Sequence, residues 1–228
     1  MKNSSSRRII GIFLILFGLL VVAAGAWLWM SNEKEENESA ALSDEILQEL
    51  MRKIKSGEPA QMSDDGETPP SLAHGEPDGD EEAFDELPQI NDGDNAGYSG
   101  AYIPVDGYAY LGIIDIPALR ISLPVNSKWS YPALRRSPCR YYGSFEGNNL
   151  VIMAHAYARH FGRLPELVVG DEVYITDVEG NEHRYQIAEI VVLRPYQKYD
   201  VIYSGYPLSL FTCTYGGRSR VVAFCVSW

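Results

Sequence analysis

Residues 210–222 read LFTCTYGGRSRVV: an apolar run that ends at Cys213, a turn with two glycines, and a second apolar run that follows Arg220. Two such runs separated by a glycine turn predict an antiparallel hairpin. Gly216 and Gly217 permit the chain to reverse. The hairpin would present the Cys213 thiol at the end of one strand, beside the arginine that begins the next.

The same alternation of short apolar runs and turns extends upstream to about residue 100. The runs are rich in Val, Ile and Tyr and are bounded by Gly, Pro, Asn and Asp. Seven strands are predicted in this way, over residues 108–117, 120–126, 149–156, 172–177, 182–193, 206–213 and 220–228. Short helical turns fit YPALRRS at 131–137 and FGRLPEL at 161–167. Seven or eight strands with no regular helix between them predict an all-β domain over 101–228, closed or nearly closed as a β-barrel.

The N-terminal part contains a candidate membrane span. Residues 9–30, IIGIFLILFGLLVVAAGAWLWM, carry no charge and would form a helix of about 33 Å, enough to cross a bilayer. Arg7 and Arg8 precede the run and acidic residues follow it, so residues 1–8 are expected in the cytoplasm and the remainder outside the cell. A cleaved signal peptide is the alternative, because Ala24–Ala26 offers a small-residue cleavage site; the length of the run favours an uncleaved anchor.

A polar segment links this span to the β domain. Residues 31–100 are dominated by Glu, Asp, Ser, Gly, Pro and Asn, which predicts a mostly disordered acidic stalk. Within it, residues 43–56 place apolar side chains at helical spacing, with Ser43 as the expected N-cap and Gly57 as the stop. A marginal stalk helix is favoured over one that docks on the folded domain or the membrane surface.

The charge of the chain is distributed unevenly. Residues 1–30 carry a net charge of +3, residues 31–105 carry −16 and residues 106–228 carry +1, which together give −12. The acidity therefore belongs to the stalk, and the β domain has no basic stripe. This distribution argues against a nucleic acid partner.

Three cysteines lie in the β domain. Outside the cytosol an odd number leaves at least one thiol unpaired. Cys139 and Cys225 are in contexts suited to packing or to pairing with each other, whereas Cys213 ends a strand at a turn and is the candidate nucleophile. The sequence has no Cys-x-x-Cys pair, and the cysteine spacing matches no zinc pattern, so no metal site is predicted.

A nucleophilic thiol needs a group that moves a proton and a donor that stabilises the oxyanion. His155 and His160 lie at and beyond the end of the strand 149–156, and His155, which closes that strand, is the stronger candidate. Arg218 and Arg220 are two residues apart and would point to one face of a strand, so either could reach the thiol. A structural histidine and solvent-facing arginines are the alternatives.

Four stretches together resemble the sortase family of Gram-positive surface transpeptidases. They are NNLVIMAHAYARHFGRLPEL, LFTCTYGGRSRVVAFC, YLGIIDIPALRISLPV and SPCRYYGS. The resemblance implies an eight-stranded barrel with Cys213 as nucleophile, His155 as catalytic histidine and Arg220 as the arginine that begins the last strand. It also implies a membrane-tethered enzyme that needs no cofactor. Some relatives use calcium, but no acidic cluster in the domain indicates it.

The resemblance further implies a two-step reaction. Cys213 would attack a peptide bond in a C-terminal sorting motif of an exported protein, and an amine of a peptidoglycan precursor would then take the acyl group. Protein anchoring is expected rather than pilin polymerisation, because no Asp-Pro-aromatic lid motif and no second membrane span occur in the sequence. A tethered cysteine peptidase that releases its substrates by hydrolysis, and a stalked binding module with a packed Cys213, are the other hypotheses.

Overall fold

The computed structural model describes residues 3–62, 100–214 and 217–228. The chain divides into two compact units, and the boundary in the sequence falls within helix α1, between Glu38 and Ser39. The helices are α1 (Asn3–Ser56), α2 (Tyr131–Arg136) and α3 (Lys198–Ile202), and 3₁₀ turns cover Pro117–Leu119 and Leu164–Glu166. The strands are β1 (Gln61–Met62), β2 (Ala101–Val105), β3 (Tyr108–Ile116), β4 (Ile121–Asn126), β5 (Cys139–Tyr142), β6 (Leu150–Ala154), β7 (Glu172–Asp177), β8 (Glu182–Leu193), β9 (Leu208–Cys213) and β10 (Arg220–Ser227).

Eight of the strands close into a barrel. Their order is β3-β4-β5-β6-β9-β10-β8-β7, and β7 pairs back onto β3. Neighbouring strands are antiparallel except for the β4–β5 and β6–β9 pairs, which are parallel. The prediction of an all-β, eight-stranded barrel is confirmed. The barrel strand that the sequence pattern missed is β5, which has only four residues and follows Pro138. Strands β1 and β2, which precede the barrel, were not predicted either.

The closing seam depends on a glycine. Gly112 of β3 lies opposite Asp177 of β7. A Cβ atom at Gly112 would collide with the carbonyl oxygen of Thr176. Only glycine therefore allows the two strands to approach closely enough to complete the barrel.

Three apolar clusters stabilise the domain. The largest draws on every barrel strand except β5 and includes Leu111, Leu150, Ile175, Leu210 and Ala223. A second lies on the β5, β6, β9 and β10 side, against α2 and α3, and contains Cys213. The third joins α1 to β2 and β3. The second cluster is the one that surrounds the candidate nucleophile.

Helix α1 corrects the prediction for the stalk. The helix expected at 43–56 is the end of a much longer one, so the expectation that residues 31–42 lack regular structure is wrong. Six of these twelve residues are Glu or Ala, which favour helix. Ser43 lies inside the helix and is buried, so it is not an N-cap. Residues 63–99 of the predicted stalk lie outside the described residues.

The C-terminal part of α1 docks on the barrel. Ile46, Leu47 and Leu50 are buried against a set of apolar side chains that includes Ile103 and Tyr110. The interpretation as a marginal stalk helix is therefore wrong, and the docking alternative is correct. The reason is physical: an amphipathic helix gains most of its stability from tertiary packing of its apolar face.

The first unit, up to Glu38, is helical throughout its described residues. In the part of the chain that the structure describes, no helix combines the length and the apolar character that crossing a membrane requires.

Candidate active site

The parallel strands β6 and β9 bring two candidate residues to one end of the barrel. Ala154 pairs with Thr212, and the Thr212 hydroxyl donates a 2.8 Å hydrogen bond to the Ala154 carbonyl oxygen. His155 and Cys213 are the next residues along the two strands. Both therefore leave the sheet side by side at the same edge, because parallel strands end in the same direction.

The third candidate, Arg220, is the first residue of β10 and pairs directly with Cys213. The three predicted site residues thus lie on three consecutive strands, in the order β6, β9, β10. The hairpin proposed from the sequence is present. It brings a thiol, an imidazole and a guanidinium to one rim of the barrel.

The Cys213 side chain is largely enclosed by protein, with 9% of the residue exposed. Burial raises the pKa of the thiol, and the positive charge of Arg220 offsets part of that rise. The resting group at neutral pH is therefore the thiol, and Arg220 is the neighbour that stabilises the thiolate when it forms.

His155 is half-buried, and its ring stacks on that of Tyr157 at a centroid distance of 4.7 Å. Burial, followed by the charge of Arg135, lowers the pKa of His155 to about 4. The imidazole is therefore neutral at pH 7. It can accept a proton only when a negative charge, such as a thiolate, develops beside it.

Arg220 is held by the turn that precedes it. Its Nη1 donates to the carbonyl oxygens of Gly217, at 2.7 Å, and Ser219, at 3.1 Å. The turn is closed by the Thr214 backbone N–H, which donates to the Ser219 oxygen at 2.9 Å. Gly217 adopts a φ of 70°, a conformation that favours glycine, and Gly216 lies outside the described residues. The guanidinium is therefore fixed before any substrate arrives.

The two arginines of the hairpin differ in their environment. Arg220 is only 4% exposed, whereas Arg218 is exposed in the turn. Arg220 faces Cys213 across the strand pair. The structure therefore favours Arg220 over Arg218 as the partner of the thiol.

A groove adjoins Arg220 on the β8 side. It encloses about 310 Å³, including solvent at its mouth. Its lining is Tyr141, Leu193, Arg194, Pro195, Gln197, Lys198, Val201, Phe211 and Arg220. Sequence reasoning treated residues 194–205 only as a connection; the signal that could have found the groove is the run of polar and aromatic residues after Pro195.

The remaining cysteines and histidines have structural surroundings. Cys139 and Cys225 are buried free thiols in different apolar clusters, so they pack and do not pair with each other. His160 is buried, and His183 lies 3.0 Å from an oxygen of Asp177. Across the described residues, no three His, Cys, Asp or Glu side chains are grouped so that they could hold a metal ion.

Comparison with known proteins gives the family. A sortase domain model matches residues 114–227. Among solved structures, the sortase D5 transpeptidase of Clostridium perfringens is 19% identical, with a TM-score of 0.52, and the match covers 82% of this chain and 99% of that one. Sortase C-1 of Actinomyces oris is 22% identical over 51% of this chain and 72% of that one, with a TM-score of 0.45. A search of curated proteins found no match.

The family model covers half of the sequence, including all three candidate residues and seven of the eight barrel strands in full. The eight-stranded barrel that the resemblance implies is the one observed. The chain therefore belongs to the sortase family of cysteine transpeptidases.

Proposed function

We propose that this sortase cleaves a C-terminal sorting motif of exported proteins through a thioacyl intermediate and transfers them to an amine acceptor of the cell wall. The observation that carries the proposal is the adjacency of His155, Cys213 and Arg220 on three neighbouring strands. These groups supply a proton carrier, a nucleophile and an oxyanion donor, which are the parts that acyl transfer needs. On this view the reaction requires no cofactor.

The first step forms the thioacyl enzyme. The Cys213 thiolate attacks the carbonyl carbon of the scissile peptide bond, and the Arg220 guanidinium donates hydrogen bonds to the developing oxyanion. The carbon–nitrogen bond breaks as His155, which has taken the thiol proton, passes it to the leaving amine. A carbon–sulfur bond has formed, and the C-terminal tail departs.

The second step transfers the acyl group. An incoming amine, such as that of a peptidoglycan precursor, attacks the thioester carbonyl and gives up a proton to His155. The carbon–sulfur bond breaks, and the thiolate is regenerated as the new amide forms. The proton returns to Cys213, so the two steps together leave no net change in the enzyme.

The groove beside Arg220 is the proposed site for the sorting motif. Its wall is formed by aromatic and aliphatic side chains such as Tyr141 and Phe211, and Arg194 and Lys198 lie at its loop side. A groove of this kind suits an extended peptide whose apolar side chains enter it. The peptide would lead directly to the thiol, because Arg220 belongs to both the groove and the site.

We also propose that residues 9–30 anchor the enzyme in the cell membrane, with residues 1–8 in the cytoplasm and the barrel outside. The run has no charged residue, and two arginines precede it. The large apolar side chains from Phe13 to Val22 are all exposed, which is unfavourable in water and favourable in lipid. An anchor would hold the site near newly exported substrates and lipid-linked precursors.

The test begins in cells. Wall proteins are compared between a strain that lacks the gene and strains complemented with the wild type or Cys213→Ala. We expect a set of proteins to be lost from the wall, restored by the wild type alone, and to share a C-terminal motif. Full restoration by Cys213→Ala would contradict the proposal and favour a binding module. Loss of covalent polymers of one surface protein would indicate pilin assembly.

The motif then serves as a peptide substrate for the intact chain, with and without an amine acceptor. We expect the amine to appear in the product and to increase turnover. Release of the tail at a rate that the amine does not change, with only hydrolysed product, would identify a peptidase.

A further inference from the structure

The docked end of α1 contacts the loop that carries His155. This histidine loop, residues 155–163, connects β6 to the following 3₁₀ turn. Ser39 of α1 is buried, and its hydroxyl donates a 2.5 Å hydrogen bond to the Arg135 carbonyl oxygen. The Ser39 Oγ atom also lies 3.5 Å from Nε2 of His160. One hydroxyl therefore joins α1, the end of α2 and the histidine loop.

The hydrogen bond from Ser39 to Arg135 decides which atom is the donor in the Ser39–His160 contact. A serine hydroxyl has one proton, and the Arg135 carbonyl oxygen takes it, so Oγ can only accept from His160. Nε2 of His160 therefore carries the proton. The pKa of His160 is lowered to about 3, mainly by burial and further by the charges of His155 and Arg159. His160 is thus a neutral donor in one tautomer.

Ring contacts lead from His160 to His155. The Tyr157 ring lies 5.5 Å from that of His160 and 4.7 Å from that of His155. The backbone reinforces the series, because the Phe161 N–H donates to the His155 carbonyl oxygen at 3.2 Å and the His160 N–H to that of Tyr157 at 2.9 Å. A shift of His160 would therefore move the imidazole of His155.

A second contact ties α1 to the same loop. Arg159 Nη2 lies 2.8 Å from an Asp44 carboxylate oxygen, and about half of each side chain is exposed. A partly exposed ion pair of this kind contributes little energy by itself. It nevertheless fixes a second point of the loop, one turn of α1 beyond Ser39.

We propose that Ser39 and His160 are positioning residues that hold His155 in place for proton transfer, so that α1 takes part in catalysis as well as in folding. The inference rests on the proposed role of His155. It predicts that loss of the Ser39 hydroxyl lowers kcat and leaves KM unchanged, because the hydroxyl touches neither the groove nor the thiol.

The experiment uses the intact chain with three serine variants. Ser39→Ala removes the hydroxyl, and Ser39→Thr retains it. Ser56→Ala is the matched control, because Ser56 is exposed on the same helix and its hydroxyl donates to the Lys53 carbonyl oxygen within α1. Three quantities are measured: the pKa of His155 by NMR, hydrogen exchange of residues 155–163, and kcat and KM on the peptide defined by the wall proteins.

In Ser39→Ala we expect the pKa of His155 to rise from about 4 towards its ordinary value, since a looser loop is better hydrated. Exchange in the loop should accelerate, and kcat should fall about tenfold or more with KM within about twofold. Ser39→Thr should recover most of the loss, and Ser56→Ala should match the wild type.

Two outcomes separate this inference from the proposed function. The positioning role alone would be overturned if Ser39→Ala kept the wild-type kcat, loop exchange and His155 pKa while Cys213→Ala was inactive. Activity in Cys213→Ala would overturn the proposed function. If Ser39→Ala does not fold, His160→Phe decides the matter, because it removes the Nε2 donor and keeps a ring at this position: faster loop exchange with a lower kcat supports the inference, and unchanged exchange with wild-type kcat contradicts it.

Discussion

The protonation states of Cys213 and His155 define how this site must operate. The pKa of the thiol is raised and that of the imidazole is lowered to about 4, so both groups are neutral at pH 7. The reactive pair, a thiolate beside an imidazolium, is therefore a minor form of the free enzyme. Between the two pKa values the fraction of this pair does not change with pH, because the pair carries the same number of protons as the neutral thiol and imidazole.

This ordering predicts the pH dependence of kcat/KM. We expect a broad plateau through neutral pH, a fall below about pH 4 as free His155 becomes protonated, and a fall above the raised pKa of Cys213. The measurement is kcat/KM from pH 3.5 to 10.5, with tryptophan fluorescence to verify that the fold persists. A narrow bell centred near neutrality would contradict the wide separation of the two pKa values.

Arg220 and Arg218 provide a matched pair of substitutions. Arg220→Ala should lower kcat by about 10²-fold or more, because it removes both the oxyanion donor and the charge that favours the thiolate. Arg218→Ala should stay within about twofold of the wild type, since that side chain is exposed in the turn. Steady-state kinetics on the same peptide provide the comparison, and equal losses would show that the two roles have been misassigned.

Among the elements, the docked end of α1 makes a separate prediction for stability. Leu50 is 0% exposed in the cluster that α1 forms with β2 and β3, whereas Leu42 on the same helix is 38% exposed. Leu50→Ala should reduce the free energy of unfolding by about 2–5 kcal/mol because it leaves a cavity. Leu42→Ala should cost well under 1 kcal/mol. Urea denaturation measures both, and similar losses would contradict the docking.

The sequence predicted the elements whose determinants are local. β9 and β10 are apolar runs joined by a glycine turn, and Cys213 and Arg220 could be placed at strand ends from that pattern alone. His155 could be selected because it ends another apolar run. The pairing of β6 with β9 that brings it to Cys213 is a long-range contact, and for that the family resemblance was needed.

The missed features depend on contacts between distant segments. The apolar stripe of α1 was visible as a helical pattern, but its partners in β2 and β3 follow more than forty residues later. A stripe shows that a helix has an apolar face and not what covers it. Likewise, the sequence could not decide whether Cys139 and Cys225 pair with each other. The barrel places them in different apolar clusters.

At the scale of the whole molecule, the arrangement separates attachment from chemistry. The barrel segment 106–228 has a net charge of +1, and the surplus of acidic residues lies in residues 31–105, between the proposed anchor and the barrel. The charge distribution thus assigns the acidity to the connecting segment and not to the barrel that carries Cys213.

The proposed anchor can be tested through the cost of charge in lipid. Leu16→Asp combined with Leu20→Asp places two carboxylates one turn apart in the run of residues 9–30. Each costs about 3 kcal/mol at the centre of a membrane helix, so the variant should be lost from the membrane fraction. Leu16→Ile combined with Leu20→Ile is the control, and it should resist alkaline extraction as the wild type does. Mass spectrometry of the wild-type protein completes the test: an intact N-terminus supports an uncleaved anchor, whereas a chain that begins at Trp27 would show that the run is a signal peptide removed on export.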